Sequence, residues 1–131
     1  KFASNFYGPF REAVGSRKKL KTDKKSYQMD YRNIFESYRE VGLDLKEGAD
    51  MIIVKPGMPY LDIISKIKKY FSVPVIAYQV SGEYSLIKNA INKKFLNEES
   101  IIESIISFKR AGACAIVTYF ALEIAKKLRL N

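Results

Sequence analysis

Lys55 closes an apolar run, Met51-Ile52-Ile53-Val54, and is followed by Pro56 and Gly57. A lysine at the carboxyl end of a buried parallel strand stands where α/β folds gather their reactive groups. Its chemistry there would be Schiff-base formation with a ketone, which only the neutral amine can start, so its pKa must fall below the ordinary value of about 10.4. Burial, or a positive charge nearby, would lower it. The plainer alternative is a solvated lysine, one among 23 Lys and Arg residues. Two later apolar runs end in a comparable way. Val75-Ile76-Ala77-Tyr78-Gln79-Val80 reaches Ser81, and Ala115-Ile116-Val117-Thr118 reaches Tyr119. Ser81 and Tyr119 could donate two neutral hydrogen bonds to an anion at a shared mouth; the alternatives are a turn serine and an interface tyrosine. Three such strand ends favour the chemical reading of Lys55.

The formal net charge of +9 fits an anionic partner: nucleic acid, anionic lipid or a small anionic substrate. Arg17, Lys18, Lys19, Lys21, Lys24 and Lys25 crowd one short stretch. Arg11, Lys24 and Gln28 supply groups that bind carboxylate or phosphate, and fit a solvated basic loop equally well. Aromatic residues interleaved with these bases make a nucleic-acid-binding module a competing function, although no RNA-recognition signature accompanies them. There is no histidine, so acid–base work falls to Lys, Tyr, Asp, Glu or water. The single cysteine, Cys114, excludes an internal disulfide and a zinc site of Cys and His ligands from this chain, and is expected to be a small buried hydrophobe. Glu40 reads as a helix-surface carboxylate. No run of 18 apolar residues is present, which predicts no membrane span.

The elements that would position these groups follow from periodicity. Residues 1–30 show little apolar pattern and are expected to be irregular, either disordered or functional; their aromatic content makes a lid that packs over a site one reading. Asp30 is expected to cap a helix whose core face is Tyr31, Ile34, Phe35, Tyr38, Val41 and Leu45, with Gly48 stopping it. A strand at 51–54 comes next. A helix over 59–71 carries Tyr60, Ile63, Ile64, Ile67, Tyr70 and Phe71 on one face. A strand at 75–80 and a helix at 83–93 follow. Asn97 is expected to cap a helix with Ile101, Ile102, Ile105 and Phe108 inward and Gly112 at its end. A strand at 115–120 and a helix with Leu122, Ala125 and Leu128 complete the chain. Alternating strands and helices argue for crossovers and a parallel α/β sheet, and strands apolar almost throughout argue for cover on both faces. With 131 residues there are too few strands to close a barrel of eight, which takes about 250 residues. The chain is therefore expected to be a small open α/β sheet or the carboxyl-terminal half of something larger.

Several blocks carry a resemblance along essentially the whole chain. They are Lys1-Phe2-Ala3-Ser4 with Phe6-Tyr7-Gly8-Pro9-Phe10-Arg11, Asp23 through Asp30, Glu47 through Ile63, Ala77 through Tyr84, Lys109 through Ala113, and Thr118-Tyr119-Phe120. Tyr78-Gln79-Val80-Ser81-Gly82-Glu83-Tyr84 is the most specific. The chain resembles the 5-aminolevulinate dehydratases, also called porphobilinogen synthases. The resemblance implies a TIM (β/α)8 barrel of which residues 1–131 form one partial domain, with 1–30 as the active-site lid segment and 31–131 as alternating helices and strands. It implies condensation of two 5-aminolevulinate molecules to porphobilinogen with loss of two waters, through two lysine Schiff bases: Lys55 on the propionate side and Lys1 on the acetate side. By the same resemblance Arg11, Lys24 and Gln28 bind the acetate-side carboxylate, and Ser81 and Tyr119 the propionate-side carboxylate. Tyr7 and Phe10 are lid aromatics near the substrates. Glu40 matches a carboxylate that holds an allosteric magnesium at subunit contacts. Any zinc ligands would lie upstream of Lys1, as would the rest of the barrel, so the piece alone is expected to be unstable or inactive. The implied partners are 5-aminolevulinate, the remaining half of the barrel and further copies in an octamer, with neither nucleic acid nor membrane. The implied location is the cytoplasm, or the plastid in an organism that has one. Cys114 replaces the usual aspartate, and Arg17 to Thr22 is more basic than the family pattern. A Schiff-base aldolase on the same barrel is the competing enzymatic reading.

Overall fold

The computed structural model describes residues 1–13 and 27–129. Three parallel strands, β1 (Ile52–Val54), β2 (Val75–Tyr78) and β3 (Ala115–Val117), form one sheet in the order β1-β2-β3. Val54 pairs with Ala77, and Tyr78 with Val117, so the carboxyl ends of the three strands lie side by side. The helices are α1 (Gly8–Ala13), α2 (Ile34–Lys46), α3 (Leu61–Tyr70), α4 (Ser81–Asn92), α5 (Glu99–Ala111) and α6 (Ala121–Arg129). Short 3-10 turns at Asn5–Tyr7 and Met58–Tyr60 precede α1 and α3. The alternation of strand and helix is that of a portion of a TIM barrel.

The core explains why these segments form. Ile63, Ile64 and Ile67 recur at helical spacing on α3 and pack with Val54, Val75, Ala77 and Phe108. Each fully buried side chain of this size stabilises the fold by about 1.5–3 kcal/mol. Ile87 of α4, Ile101 of α5 and Phe120 form a second cluster, with Ile124 of α6 packed against it. Gly112 ends α5 in the left-handed conformation at φ 109°.

Several expectations change. Asn33, not Asp30, caps α2, its side chain accepting from the Phe35 and Glu36 amides; Asp30 instead accepts from Arg32. Phe35, Tyr31 and Tyr70 are exposed, because the buried stripe of α2 runs through Ser37 and Val41 and that of α3 stops at Ile67. Asn97 contributes its carbonyl, not its side chain, to the start of α5. Leu122, Ala125 and Leu128 face outward, since α6 packs through Ile124. Cys114 is exposed at the amino end of β3, an edge strand whose residues are only partly covered; Ile53 of β1 is exposed as well. Residues 1–13 are not irregular throughout: they hold a 3-10 turn and α1. The basic stretch from Arg17 to Lys25 lies outside the described residues.

Candidate functional site

The chain enters at the mouth of the sheet. The Phe2 amide donates to the Lys55 carbonyl at 3.0 Å, and the Met29 amide to the Lys1 carbonyl at 3.1 Å. Lys1-Phe2-Ala3 is thus held between Met29 and the end of β1, one residue out of step with Lys55. Tyr7 locks this arrangement. Its buried hydroxyl lies 3.0 Å from the Lys55 carbonyl and 3.2 Å from that of Phe2, positioned to donate to both. Burial pushes the Tyr7 phenol well above its usual range, so it remains a neutral donor.

Three cations gather around the Tyr7 ring: Lys1 Nζ at 5.3 Å, Arg11 Cζ at 5.0 Å and Lys55 Nζ at 5.9 Å from its centroid. Lys55 Nζ also lies 3.8 Å from the centroid of Tyr78. Half-burial lowers the Lys55 pKa, and the positive charge of Lys1 lowers it further. That is the electrostatic condition for a nucleophilic amine.

Around Lys55, Tyr7, Phe10, Tyr78, Val80, Ser81 and Tyr119 line one cleft. Its volume of about 20 Å³ holds little more than a water molecule. Phe10 sits at its edge, and the Phe10 amide donates to Ser81 Oγ at 3.1 Å. The Ser81 hydroxyl thus accepts from the Phe10 amide and keeps its own proton to donate. Burial raises the pKa of Tyr119, which leaves a second neutral donor.

A wider cleft, about 170 Å³, lies beside it and is lined by Lys1, Gln28, Ser37, Glu40 and Asp44 among others. Gln28 is buried, and among the described residues neither its amide nitrogen nor its amide oxygen has a hydrogen-bond partner. Glu40 shares this wall with Asp44, yet among the described residues no three His, Cys, Asp or Glu side chains converge to hold a metal ion. Cys114 is at the opposite end of the sheet from Lys55.

The structure therefore brings Lys55, Tyr7, Phe10, Ser81 and Tyr119 to one cleft, with Arg11 and Lys1 against the same tyrosine. It places Gln28 and Glu40 in the neighbouring cleft with Lys1. Lys24 lies outside the described residues. Sequence reasoning gave no role to Tyr78 or Glu83. Glu83 is buried, and its carboxylate accepts from the amides of Gly57, Met58 and Val80. The available signal was an acid three residues beyond the last apolar position of a strand, the place from which a side chain reaches back to a helix start. Gln79, also buried, bonds Ser104 of α5 and the hydroxyl of Thr118, and so fixes the turn that carries Tyr119.

The family model described as Delta-aminolevulinic acid dehydratase matches residues 1–127. Relatives of that name from Bradyrhizobium diazoefficiens and Archaeoglobus fulgidus are 54% and 56% identical, each over 98% of this chain. The chain spans only 37% and 40% of their respective lengths. A crystal structure of delta-aminolevulinic acid dehydratase (porphobilinogen synthase) from Toxoplasma gondii ME49, in complex with the reaction product porphobilinogen, superposes with a TM-score of 0.91 at 51% identity. That match covers 96% of this chain and 36% of the other.

Proposed function

Since the chain belongs to the delta-aminolevulinic acid dehydratase family, we propose that its Lys55 cleft forms a Schiff base with 5-aminolevulinate in porphobilinogen synthesis. The observation that carries this reading is the lysine with a lowered pKa in a cleft that also presents Ser81 and Tyr119.

Neutral Lys55 Nζ attacks the substrate ketone carbon. The tetrahedral adduct gains a proton on its oxygen and loses water, leaving a carbon–nitrogen double bond in place of the carbonyl. Ser81 and Tyr119 donate to the carboxylate of the same molecule and orient it. Lys1 takes the second molecule in the same manner, with Arg11, Lys24 and Gln28 on its carboxylate. The unpaired Gln28 amide supports that placement, because a carboxylate would give its nitrogen an acceptor. Joining the two molecules releases two waters in all.

In the same reading, Glu40 would give a magnesium ion one carboxylate oxygen, with waters or another copy supplying the rest. The exposed rings of Tyr31, Phe35 and Tyr70 leave apolar surface for the rest of the barrel or for further copies. No helix among the described residues is long and apolar enough to cross a membrane.

Borohydride reduction of an active preparation containing this chain, in the presence of 5-aminolevulinate, tests the proposal. Peptide mapping should place a reduced adduct on Lys55. Lys55→Ala should remove it and lower turnover on the order of 10³-fold or more. An active enzyme with no adduct at Lys55 would overturn the assignment.

A further inference from the structure

The Glu83 side chain leaves the first turn of α4, the helix that opens on Ser81, and ends between the Val80 cap of that helix and the loop that follows Lys55. One carboxylate oxygen accepts from the Met58 amide. The other accepts from the Gly57 amide at 3.2 Å and the Val80 amide at 2.6 Å. Gly57 and Met58 are two and three residues beyond Lys55; Val80 immediately precedes Ser81. All three donors are main-chain groups, so the carboxylate grips backbone on both sides whatever the neighbouring side chains do. Glu83 is 1% exposed; burial raises its pKa, and the three backbone amides and the amino end of α4 oppose that by favouring the ionised form.

Lys55 would take the substrate's ketone, and Ser81 its carboxylate. In 5-aminolevulinate these two groups are separated by two methylenes. We infer that Glu83 is a positioning residue that sets the span between Lys55 and Ser81 and so selects the length of keto acid the site accepts. The inference rests on the Schiff-base reading above and adds a determinant of specificity to it.

The test compares borohydride trapping rates at Lys55 for three probes, using an active preparation containing this chain. They are 4-oxopentanoate, with two methylenes; 5-oxohexanoate, with three; and 2-pentanone, without a carboxylate. The parent should trap 4-oxopentanoate at least about tenfold faster than either of the others. Glu83→Gln turns an amide NH₂ toward backbone donors, and should cut both preferences by about tenfold, since small misplacements of reacting groups are costly. Because the readout is a ratio within one sample, a reduced fraction of folded protein cancels. If Glu83→Gln does not fold, Glu83→Asp, which withdraws the carboxylate by one methylene, is read in the same way. A common fall in all three rates, or unchanged ratios, would overturn the inference and leave Glu83 a structural residue. No trapping at Lys55 in the parent would overturn the Schiff-base reading itself, and this inference with it.

Discussion

The two neighbouring clefts differ in how far the protein has finished them. At Lys55 the supporting groups are already paired: Tyr7 bonds two carbonyls, Ser81 accepts from Phe10, and Glu83 ties the loop after Lys55 to the start of α4. At Lys1 the wall carries Glu40 and Asp44, and a buried glutamine amide with neither end satisfied among the described residues. The first geometry is held by the chain's own groups. In the second, an amide without a partner among the described residues costs the fold its desolvation.

The contrast can be broken in three ways. The largest effect belongs to the finished cleft. Ser81→Ala should weaken binding of a keto acid by about 10- to 150-fold, the loss of a hydrogen bond to a charged group worth about 1.5–3 kcal/mol. Saturation of borohydride trapping at Lys55 reads this directly, and unchanged affinity would detach Ser81 from the carboxylate. The unfinished cleft should respond in the opposite sense. Gln28→Leu removes the unpaired amide and should raise the unfolding free energy in urea by about 1–2 kcal/mol. A less stable variant would show that Gln28 is already satisfied. The smallest effect links the two clefts. The charge on Lys1 disfavours the protonated form of Lys55, so Lys1→Met should raise the Lys55 pKa. Less neutral amine is then present at any given pH, and the trapping profile should move to higher pH. An unmoved profile would assign the lowering to burial alone.

The strands and the order of the elements were legible because apolar runs and left-handed glycines leave strong local marks, as at Val75–Tyr78 and Gly112. Faces were read less well. Phe35 and Leu128 match a helical period yet point outward, because the period does not say how wide the covered stripe is or what covers it. Cys114 was misplaced for a related reason: only the sheet order shows that β3 is an edge. Lys55, Ser81 and Tyr119 were visible as strand ends. Tyr7, Phe10, Arg11, Lys24, Gln28, Lys1 and Glu40 drew their roles from the resemblance and not from spacing. Glu83 and Tyr78 escaped because their partners, three backbone amides and one ammonium, are set by tertiary geometry and have no signature in residue type.

Gly82 sits between Ser81 and Glu83, and a methyl group placed on it would lie 2.2 Å from the Phe6 carbonyl oxygen and 2.8 Å from the carbonyl carbon. The obstacle is main chain, so no replacement of the Phe6 side chain could make room. The position is closed to mutational drift by one backbone pressed on another, and no second substitution at Phe6 reopens it. A glycine held in this way would persist through descent as stubbornly as a reacting group, while taking no part in any reaction.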